Sequence, residues 1–462
     1  MTLPTQSAAA QLAEFSASLS WAGLEATVRE RTQELVLDLL GVAARGSAED
    51  SSKAVARVAK EAGGGGEASL IGASACASAA WAALANGAAA HAIEMDDVTR
   101  ESSLHPGAAV IPAALAVAEE TGSPASSFLE AVVAGYEVTM RVGAALNPAA
   151  AYERGFHPTG VAGVFGAATA AGRILGLDAD ALTRALGIAG TMASGSLEYL
   201  SDGSWTKRLN PGWAAHAGIV AASLARAGFT GPATVFEGRL ALLHGYTAEA
   251  LPEQLLAGLG SALQIMRVGV KPYACCRYNH GLVDCVLALR QAHAIRPEDV
   301  ETIRLGVLSA GWALVAEPID VKRAPRTIVD AQFSAPFAAA LALAHGAAGP
   351  DLYTAGALDD PMLRSLMQRT ECYRDPTLDA DFPRLWPAAV EVQLRDGRRV
   401  ATRTEFTTGD PERPVPRAGL VAKFVSLAGN LMPAEQAREL ADRILHLESE
   451  PDLRAVAAAL RG

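Results

Sequence analysis

The chain has 462 residues, half of them hydrophobic but only 5% aromatic, and carries a net charge of −11. That acidic balance excludes nucleic acid or an anionic membrane surface as its main partner. An alanine-rich, aromatic-poor composition favours packed helices over a sandwich or barrel, and the length suits two domains.

The segment from Met1 to Pro4 lacks the basic and apolar regions of a secretory signal. The longest apolar run, 71–92, is mostly alanine, glycine and serine, so a buried helix is expected there and no membrane span. Cys76, Cys275, Cys276, Cys285 and Cys372 are odd in number and lack C-x-x-C spacing. No disulfide framework, structural zinc or iron–sulfur cluster is expected, and the chain reads as cytoplasmic with no metal or cofactor.

Helical periodicity covers 11–19 and 24–44, with Leu24, Val28, Leu35, Leu39 and Leu40 on one stripe. A short helix at 54–62 and a glycine loop at 63–66 follow, then a helix over 73–93. Next comes the polar stretch from Glu94 through Asp96 and Asp97 to Arg100, ending at His105-Pro106-Gly107. Helices are expected over 108–120 and 126–146. Gly155-Phe156-His157-Pro158-Thr159-Gly160 then opens a helix whose glycines, Gly160, Gly163 and Gly166, mark close backbone approach. After a helix at 179–193 and a serine- and glycine-rich loop, Lys207-Arg208-Leu209-Asn210-Pro211-Gly212 leads into a helix over 214–227. Three polar turns, each opening an alanine-rich helix, are suited to converge at one end of a bundle.

The character changes near Arg267. The stretch from Lys271 to His280 holds two cations, a histidine, two thiols and two phenols, and leads into a helix over 282–293. Residues 300–308 alternate as a half-buried strand, and a hairpin is expected about Asp396-Gly397. With helices over 331–345 and 360–369 between them, 267–408 reads as an α+β unit inserted in a helical protein. Helix resumes at 420–431, 434–448 and 453–461. The expected fold is mainly α: an all-helical domain of 1–266 plus 409–462, and a smaller α+β lid domain of 267–408.

The sequence has no H-E-x-x-H, G-x-S-x-G, P-loop or Rossmann fingerprint. Its histidines, lysines and paired aspartates suit proton abstraction beside a carboxylate, with cations holding an anionic substrate. The stretch from His91 to Gly107, the His157 turn, the Lys207–Gly212 segment and the Lys271–His280 segment together resemble the MmgE/PrpD family, over nearly the whole chain and in the same order. The family contains 2-methylcitrate dehydratases, cis-aconitate decarboxylases and iminodisuccinate epimerases.

The resemblance implies a homodimer and metal-independent chemistry in a cleft between the domains. It puts catalytic roles on Asp96, Asp97, His105, His157 and Lys271. Substrate binding falls to Lys207, Arg208, Arg277, His280 and Cys276. The implied reaction is a lyase's: dehydration of a 2-methylcitrate-like hydroxy-polycarboxylate. In that scheme His157 or Lys271 removes the α-proton, Asp97 or His105 helps the hydroxyl leave, and Lys207 with Arg277 binds carboxylates. Epimerisation of a dicarboxylate and decarboxylation are the enzymatic alternatives, and a catalytically silent helical binding protein is the alternative of another class. Two departures from the family pattern bear on the substrate. Glu94 and Val98 stand where Asp-x-Asp-Asp-Thr is common, and Cys276 stands where decarboxylase members carry a histidine.

Overall fold

The computed structural model describes residues 6–462, and it is mainly helical. Helices Ala26–Gly46, Ala79–His91, Gly107–Thr121, Ala125–Ala145, Pro158–Ile174 and Thr206–Arg226 form its centre. Small residues allow these helices to pack closely: all residues from Pro158 to Gly172 are buried. A Cβ on Gly166 would lie 1.8 Å from Thr139 Oγ1 and 2.5 Å from the Gly135 carbonyl. Glycine is therefore required where Pro158–Ile174 crosses Ala125–Ala145, and packing offsets its helix cost of about 1 kcal/mol.

A two-stranded ribbon pairs β1 (Ala68–Ser69) with β2 (Cys76–Ala77). The ribbon takes the start of the helix expected over 73–93, which begins only at Ala79. Alanine permits helix there, but Gly72 at φ +75° reverses the chain and commits 76–77 to pairing. Later in the chain, β3 (Val300–Val307), β4 (Thr370–Arg374), β5 (Ala388–Leu394) and β6 (Arg399–Thr404) form a sheet of order β4-β3-β5-β6. The alternation of Ile303, Leu305 and Val307 places all three inside. β4 was not expected from the sequence; it pairs parallel to β3, a long-range contact without a local signal. The β5–β6 turn is wider than a two-residue hairpin. Leu394 N–H donates to the Arg398 carbonyl, leaving 395–397 as the loop with Gly397 at φ +90°.

Buried side chains fall into two clusters. One joins residues between Ala8 and Val270 to those between Leu420 and Leu460. The other is built mainly from residues between Ala274 and Leu394 and also takes in Ile93, Met95, Leu197 and Tyr199. Those four belong to segments that line the gap between the clusters. Residues 94–105 are pinned at its edge by paired backbone hydrogen bonds between Val98 and Gly269, at 2.9 and 2.7 Å. Lys423 reinforces the tie: its ammonium donates to the carbonyls of Met95 and Lys271, each at 2.9 Å, and pairs with buried Asp38 at 2.7 Å. Among the described residues no helix is long and apolar enough to cross a membrane.

Candidate active site

Residues 92–106 run between helices Ala79–His91 and Gly107–Thr121 and turn several polar side chains inward. Glu94 is one of four non-glycine residues at positive φ among the described residues, at +56°. Such a conformation costs about 1–3 kcal/mol and persists where surroundings over-determine it. Here its carboxylate bridges the ammonium groups of Lys207 and Lys271, the latter at 3.2 Å. Burial would raise this carboxyl, but the two lysines outweigh burial and hold it well below the usual range. Burial lowers the Lys207 ammonium. Burial also opposes charge on Lys271, yet Glu94 and Asp96 keep that group charged.

Asp96 sits among the histidines. It accepts from His91 Nδ1 at 2.6 Å and lies 3.4 Å from His105 Nδ1. Against the cost of burial, His105 and His91 keep it ionised. Asp97 points away: its carboxylate accepts from Tyr136 at 2.6 Å and from Gly107 N–H at 3.0 Å, and burial pushes its pKa up to about 7.

Two histidines present opposite hydrogen-bonding character, fixed by unlike partners. His105 Nδ1 is 2.7 Å from the Asp97 carbonyl oxygen. A carbonyl only accepts, so Nδ1 carries the hydrogen and Nε2 keeps a lone pair. Burial drives this imidazole down to about 3, so it is neutral. His157 caps helix Pro158–Ile174, its N–H bonded to the Gly195 carbonyl at 3.0 Å. Its Nδ1 lies 3.1 Å from Asn210 Nδ2. An amide nitrogen only donates, so His157 Nδ1 accepts and Nε2 bears the hydrogen. Burial, then Lys207, holds this ring neutral as well.

Both rings line a chamber with Glu94, Lys207, Cys276 and Arg277. Phe333 lies under the Lys207 ammonium at 5.0 Å, and Trp386 under the Arg277 guanidinium at 5.4 Å. The free space is about 40 Å³, enough for a few waters, so a tricarboxylate is admitted only with the walls moved apart. Burial raises the Cys276 thiol, so it is protonated. Arg277 is also bound to Asp410 at 2.6 Å.

Of the residues singled out from the sequence, His105, His157, Lys207, Cys276 and Arg277 meet at this chamber, with Asp96 and Lys271 directly behind. Three lie elsewhere. Asp97 faces Tyr136, Arg208 bonds Ser51 at 2.9 Å and pairs with Glu49, and His280 packs against the Cys275 carbonyl at 3.2 Å. The turn expected at Asn210-Pro211-Gly212 is helical, because Thr206–Arg226 begins before it. Lys207 therefore projects from a helix's first turn, while Arg208, one position on, points to another face. Glu94, Tyr152 and Tyr199 were missed as chamber residues; only the departure of Glu94 from the usual aspartate hinted at its place. The atoms of His91, Asp96 and His105 lie within 4.8 Å of one another and could hold a metal. As arranged, the two Nδ1–H groups are used as hydrogen-bond donors.

A model of the MmgE/PrpD N-terminal domain matches residues 10–254, and one of the MmgE/PrpD C-terminal domain matches 273–448. The cis-aconitate decarboxylase-like protein oryM of Aspergillus oryzae is 29% identical, over 99% of this chain and 98% of that protein. Cis-aconitate decarboxylase of Aspergillus terreus is 26% identical, over 96% and 94%. The human cis-aconitate decarboxylase is 27% identical, over 83% and 79%.

Proposed function

The chain belongs to the MmgE/PrpD family, and from that footing we propose that it is a lyase dehydrating a hydroxy-polycarboxylate of the 2-methylcitrate type. The observation that carries this reading is the pair of neutral imidazoles lining one chamber, one with a free lone pair and one with a free N–H. Elimination of water needs one group to take the proton α to a carboxylate and another to protonate the leaving hydroxyl. His105 Nε2 is the base in this scheme and becomes imidazolium, and His157 Nε2–H is the acid, its ring left as an imidazolate beside the Lys207 ammonium until the two rings exchange a proton. The assignment differs from the one expected by resemblance, because Asp97 faces away and Lys271 is held by Glu94.

The charge that develops on the substrate carboxylate as the proton leaves is offset by Lys207 and Arg277. A polyanion entering the chamber also favours the protonated form of His105, which raises its basicity from the low value of the empty site. Regeneration needs only proton exchange between the two rings and solvent. The tightness of the chamber supports a lid role for 267–408, which carries Cys276, Arg277, Phe333 and Trp386. Substrate would enter when that unit parts from 1–266 plus 409–462 and would then bridge the two on closure.

Decarboxylation is the second reading, favoured by the names of the relatives. There His157 Nε2–H would protonate the alkene carbon of a cis-aconitate-like substrate as CO₂ leaves the neighbouring methylene. Incubation with 2-methylcitrate, citrate, cis-aconitate and iminodisuccinate separates the readings. Enoate absorbance growing from 2-methylcitrate without CO₂ supports dehydration. Release of CO₂ from cis-aconitate replaces it with decarboxylation, and racemisation of iminodisuccinate with epimerisation. No turnover of any of the four sinks the proposal.

A further inference from the structure

A second cavity adjoins the chamber and is far larger, about 780 Å³. Ser103, Tyr152, Leu197, Tyr278 and Leu314 belong to the walls of both, so one layer of side chains is the boundary, and the threshold to be crossed, between the two spaces. The threshold is amphipathic. Tyr152 and Ser103 bond to each other there, hydroxyl to hydroxyl at 2.9 Å and Tyr152 to the Ser103 carbonyl at 3.0 Å, while the two leucines flank them.

Beyond the threshold the wall turns apolar. Leu200, Leu251, Phe382 and Pro383 supply much of it, and both leucines are unusually exposed for their type, at 36% and 38%. Its charged side chains are Arg100, Glu101 and Glu153. Arg100 is already paired with Glu412 at 2.7 Å and Asp410 at 3.7 Å, which leaves two carboxylates to set the tone of the wall. Such a space repels a further polyanion and suits hydrocarbon. A substrate as small as 2-methylcitrate would leave it full of water against leucine and phenylalanine.

We propose that the substrate is a polycarboxylate bearing an apolar alkyl tail, with the carboxylates in the inner chamber and the tail across the Tyr152–Ser103 threshold in the outer cavity. This rests on the polycarboxylate reading above and names the substrate's class within it. The tail contributes by leaving water, at about 25 cal/mol per Å² of apolar surface, which amounts to roughly a fourfold gain in affinity for each methylene buried.

Binding tests it without requiring turnover. Propane-1,2,3-tricarboxylates carrying methyl, butyl, hexyl or octyl groups lack a leaving hydroxyl and can be titrated calorimetrically into the intact protein. The expected result is a Kd that falls about fourfold per methylene until the cavity is filled. Ala313→Trp, a change at an exposed wall position, should narrow the octyl-to-methyl ratio at least tenfold, and Leu251→Gln should narrow it as well, with folding checked by melting temperature. A Kd independent of chain length, with the methyl compound bound, would make the outer cavity an entrance only and overturn this inference alone. If no member binds, methyl included, the polycarboxylate reading falls and this one with it. An octyl-to-methyl ratio untouched by both wall variants would also overturn it, since the tail would then lie elsewhere.

Discussion

Replacing His157 by asparagine separates an acid from a structural turn residue, because the structure gives the two roles different magnitudes. The backbone bonds at 157 survive the change: its N–H to Gly195, and its carbonyl accepting from Gly160 at 3.0 Å and Val161 at 3.2 Å. Asparagine is itself a good N-cap residue. What is lost is one side-chain hydrogen bond, with Asn210, and contact with His91 and Tyr199 at ring separations of 5.7 and 6.3 Å. A hydrogen bond of that kind contributes about 1 kcal/mol, small against the roughly 5–15 kcal/mol that holds a domain folded. Loss of a general acid instead costs about 10²–10⁴-fold in kcat, or about 3–5 kcal/mol in the barrier. His157→Asn should therefore melt within a few degrees of the parent while kcat collapses on whichever substrate the panel identifies. A pH series adds a second check. The folded protein keeps this ring neutral well below the ordinary 6.5, so below that pH the unfolded chain binds the extra proton and the parent loses stability. The variant has no such group, so the stability gap between the two should narrow as pH falls from 7.5 to 5. A well-folded variant with kcat within a few-fold of the parent would refute the acid role.

Glu94→Gln should leave Lys207 and Lys271 buried without their shared counter-ion, costing about 3–5 kcal/mol of stability; scanning calorimetry should record a lower Tm that tricarballylate partly restores, and an unchanged Tm would contradict the bridge. Lys423→Met should destabilise similarly by stranding Asp38, and adding Asp38→Asn should recover much of the loss; additive losses in the double mutant would deny the coupling. Exhaustive chelation should leave activity intact, since the His91 and His105 Nδ1 atoms act as hydrogen-bond donors; loss of activity restored by one added metal would show that the His91, Asp96 and His105 group binds an ion. Solution scattering with a saturating polycarboxylate analogue should record compaction if 267–408 closes over 1–266, and an identical envelope would remove support for the lid.

Local chemistry made much of this protein legible in its sequence. Alanine and glycine at helical spacing dictate thin, closely packed helices, and Gly166 does mark the close approach expected of it, with Thr139 as the partner that only folding names. His157 before Pro158 had to cap a helix, since proline tolerates the first helical position and bars the residue before it from joining. The alternating runs of β3, β5 and β6 likewise follow from a period of two. Convergence of His105 and His157 was foreshadowed by their turns opening helices, whereas the third turn lies inside a helix and Lys207 reaches the chamber from that helix's first turn.

Direction and pairing were decided only by tertiary structure. Asp96 and Asp97 are neighbours of identical chemistry, yet one meets two histidines and the other a tyrosine, because their side chains leave the backbone on different sides of a loop pinned by Val98 to Gly269. Lys207 and Arg208 part in the same way once the helix is seen to start at Thr206. Glu94 as a bridge between two lysines, and Asn210 as the group that sets which nitrogen of His157 holds its proton, are contacts across 113, 177 and 53 residues. Sequence determines which residues can donate, accept or carry charge. A proton's place on an imidazole depends on the partner that folding brings within about 3 Å, and separation along the chain carries no record of that partner.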